Sequence, residues 1–481
     1  MDKKNKRTVT RDVVKFALTT DFSDLPAEVV SVTKNIVLDS VGCALGGYAV
    51  DKGRIAVQFA KCSGFCPEAS IIGDGQVSLP NAAYANGELM NALDFDAILM
   101  PGHVSPYVVP APLAAAELAQ ATGKDLIVSV AIAHEIAARI GGALPPMRIV
   151  KGKPPSVTLE IRPRFGYSNS VFGATAATCK LLRLDETTTA NAVGLAGYNA
   201  PMLHLAKWAT TLPASMLKYT CAGWIGHVAT ISALLAERGY TGDTTVLDGD
   251  FGYWKFSGAD SFDWEFVTSQ LGERWHVLGT EFKPYPCCRV YHSPLDAFIK
   301  IIREHELRPD DIERVSAKIG QAEDPVFKNT SIVSHVDAQF SGPYIFAAAA
   351  HHWAEPGAIW QHSETLHDRR LLAFMNKVNI EPYAKYAEEL YERQVLKGLP
   401  YIGTRPALVT VIAKGHTYVE EATFPRGSTR NPLTREELHQ KFKNNANGIP
   451  RENVDRAIAI LERLEEQKNL AELHQLLQIK S

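Results

Sequence analysis

Apolar residues recur at three- and four-residue spacing through most of the first half of the chain, the spacing of one helix face. The pattern predicts helices over residues 12–19, 27–45, 80–93, 110–120, 126–140, 173–182 and 224–237, an all-helical body reaching from about residue 8 to residue 242. Stretches such as 111–119 and 173–178 are apolar or small nearly all the way round, so other helices or a second subunit must enclose them. Homodimerisation is the economical expectation, and the small side chains let helices approach closely. Beyond Trp275 the period changes. Residues 312–319 alternate in the manner of a strand, and 407–413 with 416–423 read as a hairpin turning at Lys414-Gly415. Helical stretches at 293–304 and 344–352 lie between them, giving 280–425 the makeup of a smaller α/β domain. The chain then returns to amphipathic helix over 434–444 and 452–477, with Ile458, Leu461, Leu464 and Leu470 on the apolar side. The expected fold is mainly α: a helical domain over 1–279, an α/β domain over 280–425, and C-terminal helices over 426–481 that rejoin the helical domain.

Composition narrows the function classes. With 481 residues, two or three units are expected, and 46% hydrophobic residues supply a large core without disulfide staples. Lys and Arg number 50 against 53 Asp and Glu, so the broad basic field of a nucleic-acid binder is missing. The seven cysteines are odd in number and show no paired CxxC spacing, which reads as reduced thiols. Residues 1–7 are basic but lead into no uninterrupted apolar run, so no secretion signal is evident. The apolar stretch 126–144 carries His134, Glu135 and Arg139 and reads as a buried helix of a large core, not a membrane span. A cytoplasmic protein without membrane or nucleic-acid partners is expected.

Three segments carry candidate chemistry. In the first, Asp94-Phe95-Asp96 is followed by Pro101-Gly102-His103, and the helix breakers leave a histidine on a loop beside two acids, where it can titrate near neutral pH as a general acid or base must. The plainer reading makes Asp96 a helix cap. In the second, Lys218 interrupts a run of apolar and small residues, and Lys207 stands next to Trp208; such lysines either snorkel or fix an anion away from water. In the third, Lys283-Pro284-Tyr285-Pro286-Cys287-Cys288-Arg289 sits where the composition changes, its prolines rigid and its cysteines read as small buried thiols. The segment Gln339-Phe340-Ser341-Gly342-Pro343-Tyr344 adds a phenol on the same small domain. Glycine-rich nucleotide loops, a GxSxG elbow and a zincin helix are all missing; after His134-Glu135 the second histidine's place is taken by Ala138. No metal is expected.

Taken in order, these motifs resemble the MmgE/PrpD family, which includes 2-methylcitrate dehydratase, cis-aconitate decarboxylase and iminodisuccinate epimerase. The resemblance covers nearly the whole chain. It rests on Ala92-Leu93-Asp94-Phe95-Asp96 with His103, Phe172-Gly173-Ala174-Thr175-Ala176-Ala177, Lys218 through His227 with Arg238-Gly239-Tyr240-Thr241-Gly242, and the Lys283 to Arg289 segment. Gln339 to Tyr344 and Pro425-Arg426-Gly427 through Asn431-Pro432-Leu433-Thr434 also match. The resemblance implies a homodimer whose α/β domain is a lid, an active site in the cleft between the domains, and no metal or organic cofactor. It implies that Asp94, His103, Lys218, Lys283 and Tyr344 line that site. The chain departs from the family twice. It has Asp94-Phe95-Asp96-Ala97-Ile98 where the dehydratases and decarboxylases read Asp-Phe-Asp-Asp-Thr, and Arg164 where they place a histidine nine residues before the glycine matching Gly173.

The chemistries in that family share proton transfer at a carbon next to a carboxylate, a weak acid whose developing charge needs preorganised cations. Lys218, Lys283 and Arg164 are expected to supply them, with Lys207 and Arg289 as further candidates and Tyr167 as a substrate contact. His103 is the expected general acid or base, Asp94 the carboxylate that orients it, and Tyr344 a donor brought in by the lid. The leading reading is a lyase of a small di- or tricarboxylic acid. An isomerase or epimerase of a related acid is the alternative, and a carboxylate-binding homologue without chemistry is a third.

Overall fold

Helices in the first half meet where side chains are hydrogen or methyl. The computed structural model describes residues 8–479 apart from 65, 100–101, 155–156, 162–166, 203–204, 323 and 399–403. Within it, the helices Gly123–Ala143 and Ser170–Leu181 cross at Gly173, where a Cβ would stand 2.2 Å from the carbonyl oxygen of Ala133. The helices Leu79–Asn91 and Ala222–Glu237 meet in the same way, a Cβ on Gly223 falling 2.6 Å from the carbonyl oxygen of Tyr84. Backbone-to-backbone approach of this kind packs a large helical body without voids.

The helices expected from periodicity are present, as Val9–Thr19, Ala27–Gly47, Leu79–Asn91, Pro110–Leu118, Gly123–Ala143, Ser170–Leu181 and Ala222–Glu237. Pro110–Leu118 and Ser170–Leu181 are buried among helices of the same chain, so the enclosure that their composition demands is supplied without a second subunit. Ala27–Gly47 and Gly123–Ala143 are long and apolar enough to cross a membrane, yet 72% and 94% of their apolar windows are buried inside the protein. Charge inside Gly123–Ala143 is accounted for locally. Arg139 pairs with Glu135 at 2.6 Å and donates to the carbonyls of Ser269 and Arg274, each at 2.7 Å.

The second half builds a four-stranded sheet in the order His416–Ala422, Ala407–Ala413, Ile312–Ile319, Val378–Pro382, antiparallel except for the last pair. Ala407, Val409, Val411 and Ala413 are buried in strict alternation, the period the sequence shows. The hairpin turns at Lys414 and Gly415, both with positive φ (52° and 72°), as a two-residue turn between right-twisted strands requires. The helices His292–Glu304 and Gly342–His352 pack on this sheet. Val378–Pro382 is a strand the pattern does not reveal, a five-residue edge with two apolar positions and a terminal proline.

Residues 452–477 form two helices, Arg451–Glu462 and Ala471–Leu476, joined through a 3₁₀ turn at Leu464–Glu466. With Arg435–Asn445 they pack back on the first core, which runs from Val9 to Phe282 and again from Leu438 to Leu477. The second core centres on the sheet and also takes Trp208, Ala209, Ala214 and Tyr219 from the helical half. That exchange brings Tyr219 to the junction of the two cores.

Gly173→Val is expected to cost about 3 kcal/mol by overpacking, read as a lowered denaturation midpoint with an unchanged slope. Unaltered stability would contradict the close helix crossing at Ala133.

Candidate active site

The helix Leu79–Asn91 ends in a loop whose peptide oxygens have no ladder to join, and buried carbonyls must find donors. Each of five successive oxygens accepts from a side chain. Lys218 Nζ donates to Asn91 (2.7 Å), Gln339 to Ala92 (2.6 Å), Gln361 to Leu93 (2.8 Å), Lys283 Nζ to Asp94 (2.8 Å) and Lys441 Nζ to Phe95 (2.6 Å). Asp94 sits in this loop at φ 54°, and its partner Lys218 at φ 52°. Left-handed backbone costs a non-glycine residue about 1–3 kcal/mol, so both ends of this ion pair are held in place by what surrounds them.

The Asp94 carboxylate is fully buried between two ammonium groups, Lys283 at 2.7 Å and Lys218 at 3.1 Å, and accepts from the Tyr219 hydroxyl at 2.8 Å. Burial alone pushes its pKa up. The Lys218 and Lys283 charges outweigh burial and hold it well below the ordinary carboxylate range. Burial also weakens the lysines, but unequally. Lys218 is pulled down to about 8, whereas the closer contact with Asp94, aided by Asp96, overcomes burial at Lys283 and raises it.

A short hairpin, Ile98–Leu99 with Gly102–His103, carries the histidine. Ile98 also exchanges backbone hydrogen bonds with Glu281, at 2.9 and 2.8 Å, which sets Lys283 two residues further on beside Asp94. His103 Nδ1 lies 2.5 Å from Asp96 Oδ2, and Nε2 lies 2.5 Å from the Tyr219 hydroxyl. Burial raises the Asp96 carboxyl, but the His103 charge and hydrogen bond prevail and lower it. An ionised carboxylate only accepts, so Nδ1 carries the hydrogen and Nε2 is the nitrogen that exchanges protons. Asp96 is fixed in turn by Asn91, whose Nδ2 donates to Oδ1 at 3.3 Å while its own Oδ1 accepts from Lys52 at 3.0 Å. Lys52 pairs with buried Glu88 at 3.1 Å.

His103 and Tyr219 open on a cavity of about 230 Å³ between the two cores, which Tyr167, Arg289 and Cys288 also line. Hollows of about 760 and 830 Å³ lie elsewhere and contain neither His103 nor Tyr219. The Tyr219 phenol has one hydrogen and two acceptors, Asp94 and Nε2. Burial, then the Asp94 charge, pushes its pKa well up, so it stays a neutral hydroxyl. When Nε2 gains a proton, the imidazolium can donate to the phenol oxygen while the phenol donates to Asp94, so the protonated state is fully hydrogen-bonded, whereas in the neutral state one phenol hydrogen serves two acceptors. Burial raises the Cys288 thiol to about 11, which keeps it protonated.

Asp94, His103, Lys218 and Lys283 are brought together. Asp94 does not orient His103: its nearer oxygen is 3.9 Å from Nε2, and the two lysines and Tyr219 occupy it, so orientation falls to Asp96. Tyr344 is not at the cleft; its hydroxyl donates to the Trp360 carbonyl at 2.6 Å inside the second core, and Tyr219 supplies the phenol beside His103. Tyr167 lies with its ring 6.0 Å from His103 and leaves no room for a side chain at Gly102, where a Cβ would come within 2.2 Å of its hydroxyl. Arg289 reaches the cleft, but its nitrogens are engaged by Glu281 (2.9 and 3.2 Å), the Arg426 carbonyl (2.9 Å) and His292 (3.1 Å). Lys207 is exposed on the short helix Leu205–Ala209, whose Trp208 lines the cleft. Arg164 lies outside the described residues. Arg148, paired with Asp324, and Arg405, which donates to Glu281 at 3.1 Å, are cleft cations that the motifs do not mark.

Asp94→Asn leaves two buried ammonium groups without the carboxylate they share in direct contact and is expected to lose about 3–5 kcal/mol. Adding Lys218→Met should recover part of that loss. Because Asp94 and Asp96 have lowered folded pKa values, the unfolded chain binds protons first as pH falls. Their stabilisation is therefore complete above the ordinary carboxylate range and is lost as pH drops through it toward the lower folded values. Urea titrations from pH 7 to pH 3 should show a flatter acid dependence in Asp94→Asn; an equal slope would contradict the assigned charge state.

Comparison with known proteins bears on the family of the chain. The model of the MmgE/PrpD N-terminal domain matches residues 11–265 and that of the MmgE/PrpD C-terminal domain matches 285–467. Among curated relatives, the cis-aconitate decarboxylase-like protein oryM of Aspergillus oryzae is 27% identical over 329 residues, covering 63% of this chain and 64% of that protein. A cis-aconitate decarboxylase of Aspergillus terreus is 29% identical over 63% of this chain and 62% of its own length. The match thus spans less than two thirds of either fungal relative. Human cis-aconitate decarboxylase is 25% identical over 94% of this chain and 91% of its own length. With both domain models matched in order, the chain belongs to the MmgE/PrpD family.

Proposed function

We propose that this protein is a lyase that moves a proton at a carbon next to a carboxylate of a small di- or tricarboxylic acid. The observation that carries the reading is the line Asp96, His103, Tyr219, with contacts of 2.5 Å at each nitrogen and its far end in the cleft. With the phenol hydrogen turned from Asp94 to Nε2, the phenol oxygen takes the substrate proton as that hydrogen passes to Nε2, so no charge is left on the tyrosine. Reversing the two transfers delivers the proton to product. The proton gained by His103 leaves the buried group of Asp94, Asp96, Lys218, Lys283 and His103 with one net positive charge as the carbanion develops. Similarity to proteins named cis-aconitate decarboxylase supports loss of carbon dioxide as the bond-breaking step.

A second reading, epimerisation, is favoured by one feature. Ile98 lines the cleft and is locked into backbone pairing with Glu281, so at the position where the resemblance would place a threonine this chain offers no hydroxyl to a leaving group. Proton removal and return on the other face needs no such group.

Proton NMR of the protein in deuterated water with cis-aconitate, citrate, 2-methylcitrate, malate and aspartate-derived acids tests both readings. Deuterium uptake or product formation is expected with at least one acid. His103→Asn and Tyr219→Phe should each slow it about 10²–10⁴-fold while ligand affinity changes little. Silence across the panel, with thermal stabilisation by a ligand, would replace the enzyme by a binding protein.

A further inference from the structure

The lining of the cleft has an apolar part and a cationic part, with Gln321, Gln394 and Tyr386 as neutral polar groups beside them. The apolar part is a continuous run starting at the proton-transfer phenol itself. Trp208 packs edge-on against Tyr219 with ring centroids 5.4 Å apart and against Phe340 at 4.7 Å, and Phe327 stacks on Phe340 at 6.5 Å. Val326 and Leu205 extend the run, and all of these residues line the cavity. Its one polar hydrogen, on Trp208 Nε1, is already given to the Ser215 carbonyl at 3.2 Å. The other part is cationic. Arg405 reaches the cavity with Nη1 engaged by Glu281, and Arg148 reaches it paired with Asp324.

We infer that the acid taken by this site carries an apolar alkyl or aryl substituent that lies on Trp208, Phe340 and Phe327, with its carboxylate groups toward Arg405 and Arg148. This rests on the proposed function and narrows it: a substituted dicarboxylate fits, and an unsubstituted tricarboxylate does not. A further carboxylate set against the apolar run would lose its hydration and meet no donor there, whereas a hydrocarbon group loses only water it holds weakly. The run touches Tyr219, so the substituent sits on or next to the carbon that exchanges its proton.

Isothermal titration of the full chain with three unreactive probes, 2-benzylsuccinate, succinate and propane-1,2,3-tricarboxylate, tests the inference. The aryl-substituted acid should bind at least about tenfold more tightly than either of the others, the discrimination a hydrophobic pocket gives. Trp208→Ala should abolish the preference while succinate affinity stays within about twofold, the scale of a lost apolar contact that succinate never made. Should that variant fail to fold, Leu205→Arg, a half-exposed position of the same run, should instead raise affinity for the tricarboxylate. Equal or tighter binding of the tricarboxylate by the unaltered chain, or no binding of any probe, would overturn the inference. Because binding is read without turnover, selective binding with no deuterium exchange would sink the enzymatic reading alone, and exchange on tricarboxylates without the preference would sink this one alone.

Discussion

Five consecutive carbonyl oxygens, those of residues 91–95, take side-chain donors, and only that of Asn91 also has a backbone one; everything near His103 depends on how that need is met. The donors come from five separate parts of the chain, three of them lysines. Gln339 and Gln361 reach in from the segment that builds the second core, and Lys441 from a C-terminal helix packed on the first. Folding either half incorrectly would strand buried carbonyls, a cost of about 1–3 kcal/mol for each group left without a partner. The loop therefore registers the two cores against each other and supports positive φ at Asp94 and Lys218.

Two carboxylates two residues apart end in different roles because their partners differ. Asp94 is enclosed by two ammonium groups and a phenol and does not line the cleft, so it serves as a fixed negative charge. Asp96 meets an imidazole and an amide, so its influence is passed through His103 to the cleft. Buried ion pairs of this kind contribute little net stability, since desolvation offsets attraction, but breaking one is expensive. Their consequence here is geometric: Tyr219, adjacent to Lys218 in sequence, is placed between Asp94 and His103 by the same pair that fixes the loop.

Much of this was legible in the sequence, for physical reasons. Helices with a clear apolar period and the alternating strand Ile312–Ile319 were readable because burial writes its own period into the chain. Lys218 was readable because a charge inside an apolar run is costly and so calls for a partner, whereas Lys283 was marked by the resemblance. Asp96 reads as a cap in the sequence because its contact with His103 joins residues seven apart, a separation that no regular element marks. Tyr219 stood inside a motif already noted, yet a tyrosine beside a lysine carries no mark of which way it faces. Tyr344 drew attention by belonging to a motif of the small domain; that motif's contribution to the loop is Gln339, and Ser341 caps the helix on which Tyr344 is packed. The cleft arginines, Arg148 and Arg405, are paired with acids far away in the chain, which only the fold brings to them.

The central claim is that Asp96 fixes the hydrogen on Nδ1 of His103 and leaves Nε2, facing Tyr219, to exchange protons. Nitrogen-15 NMR of the histidine-labelled protein reads the tautomer directly, with His103→Asn identifying the signal. The account predicts that the neutral ring carries its hydrogen on Nδ1 and shows a bare Nε2. A neutral His103 with its hydrogen on Nε2 would contradict it, because Asp96 would then have no proton to accept and the path to the cleft would be closed.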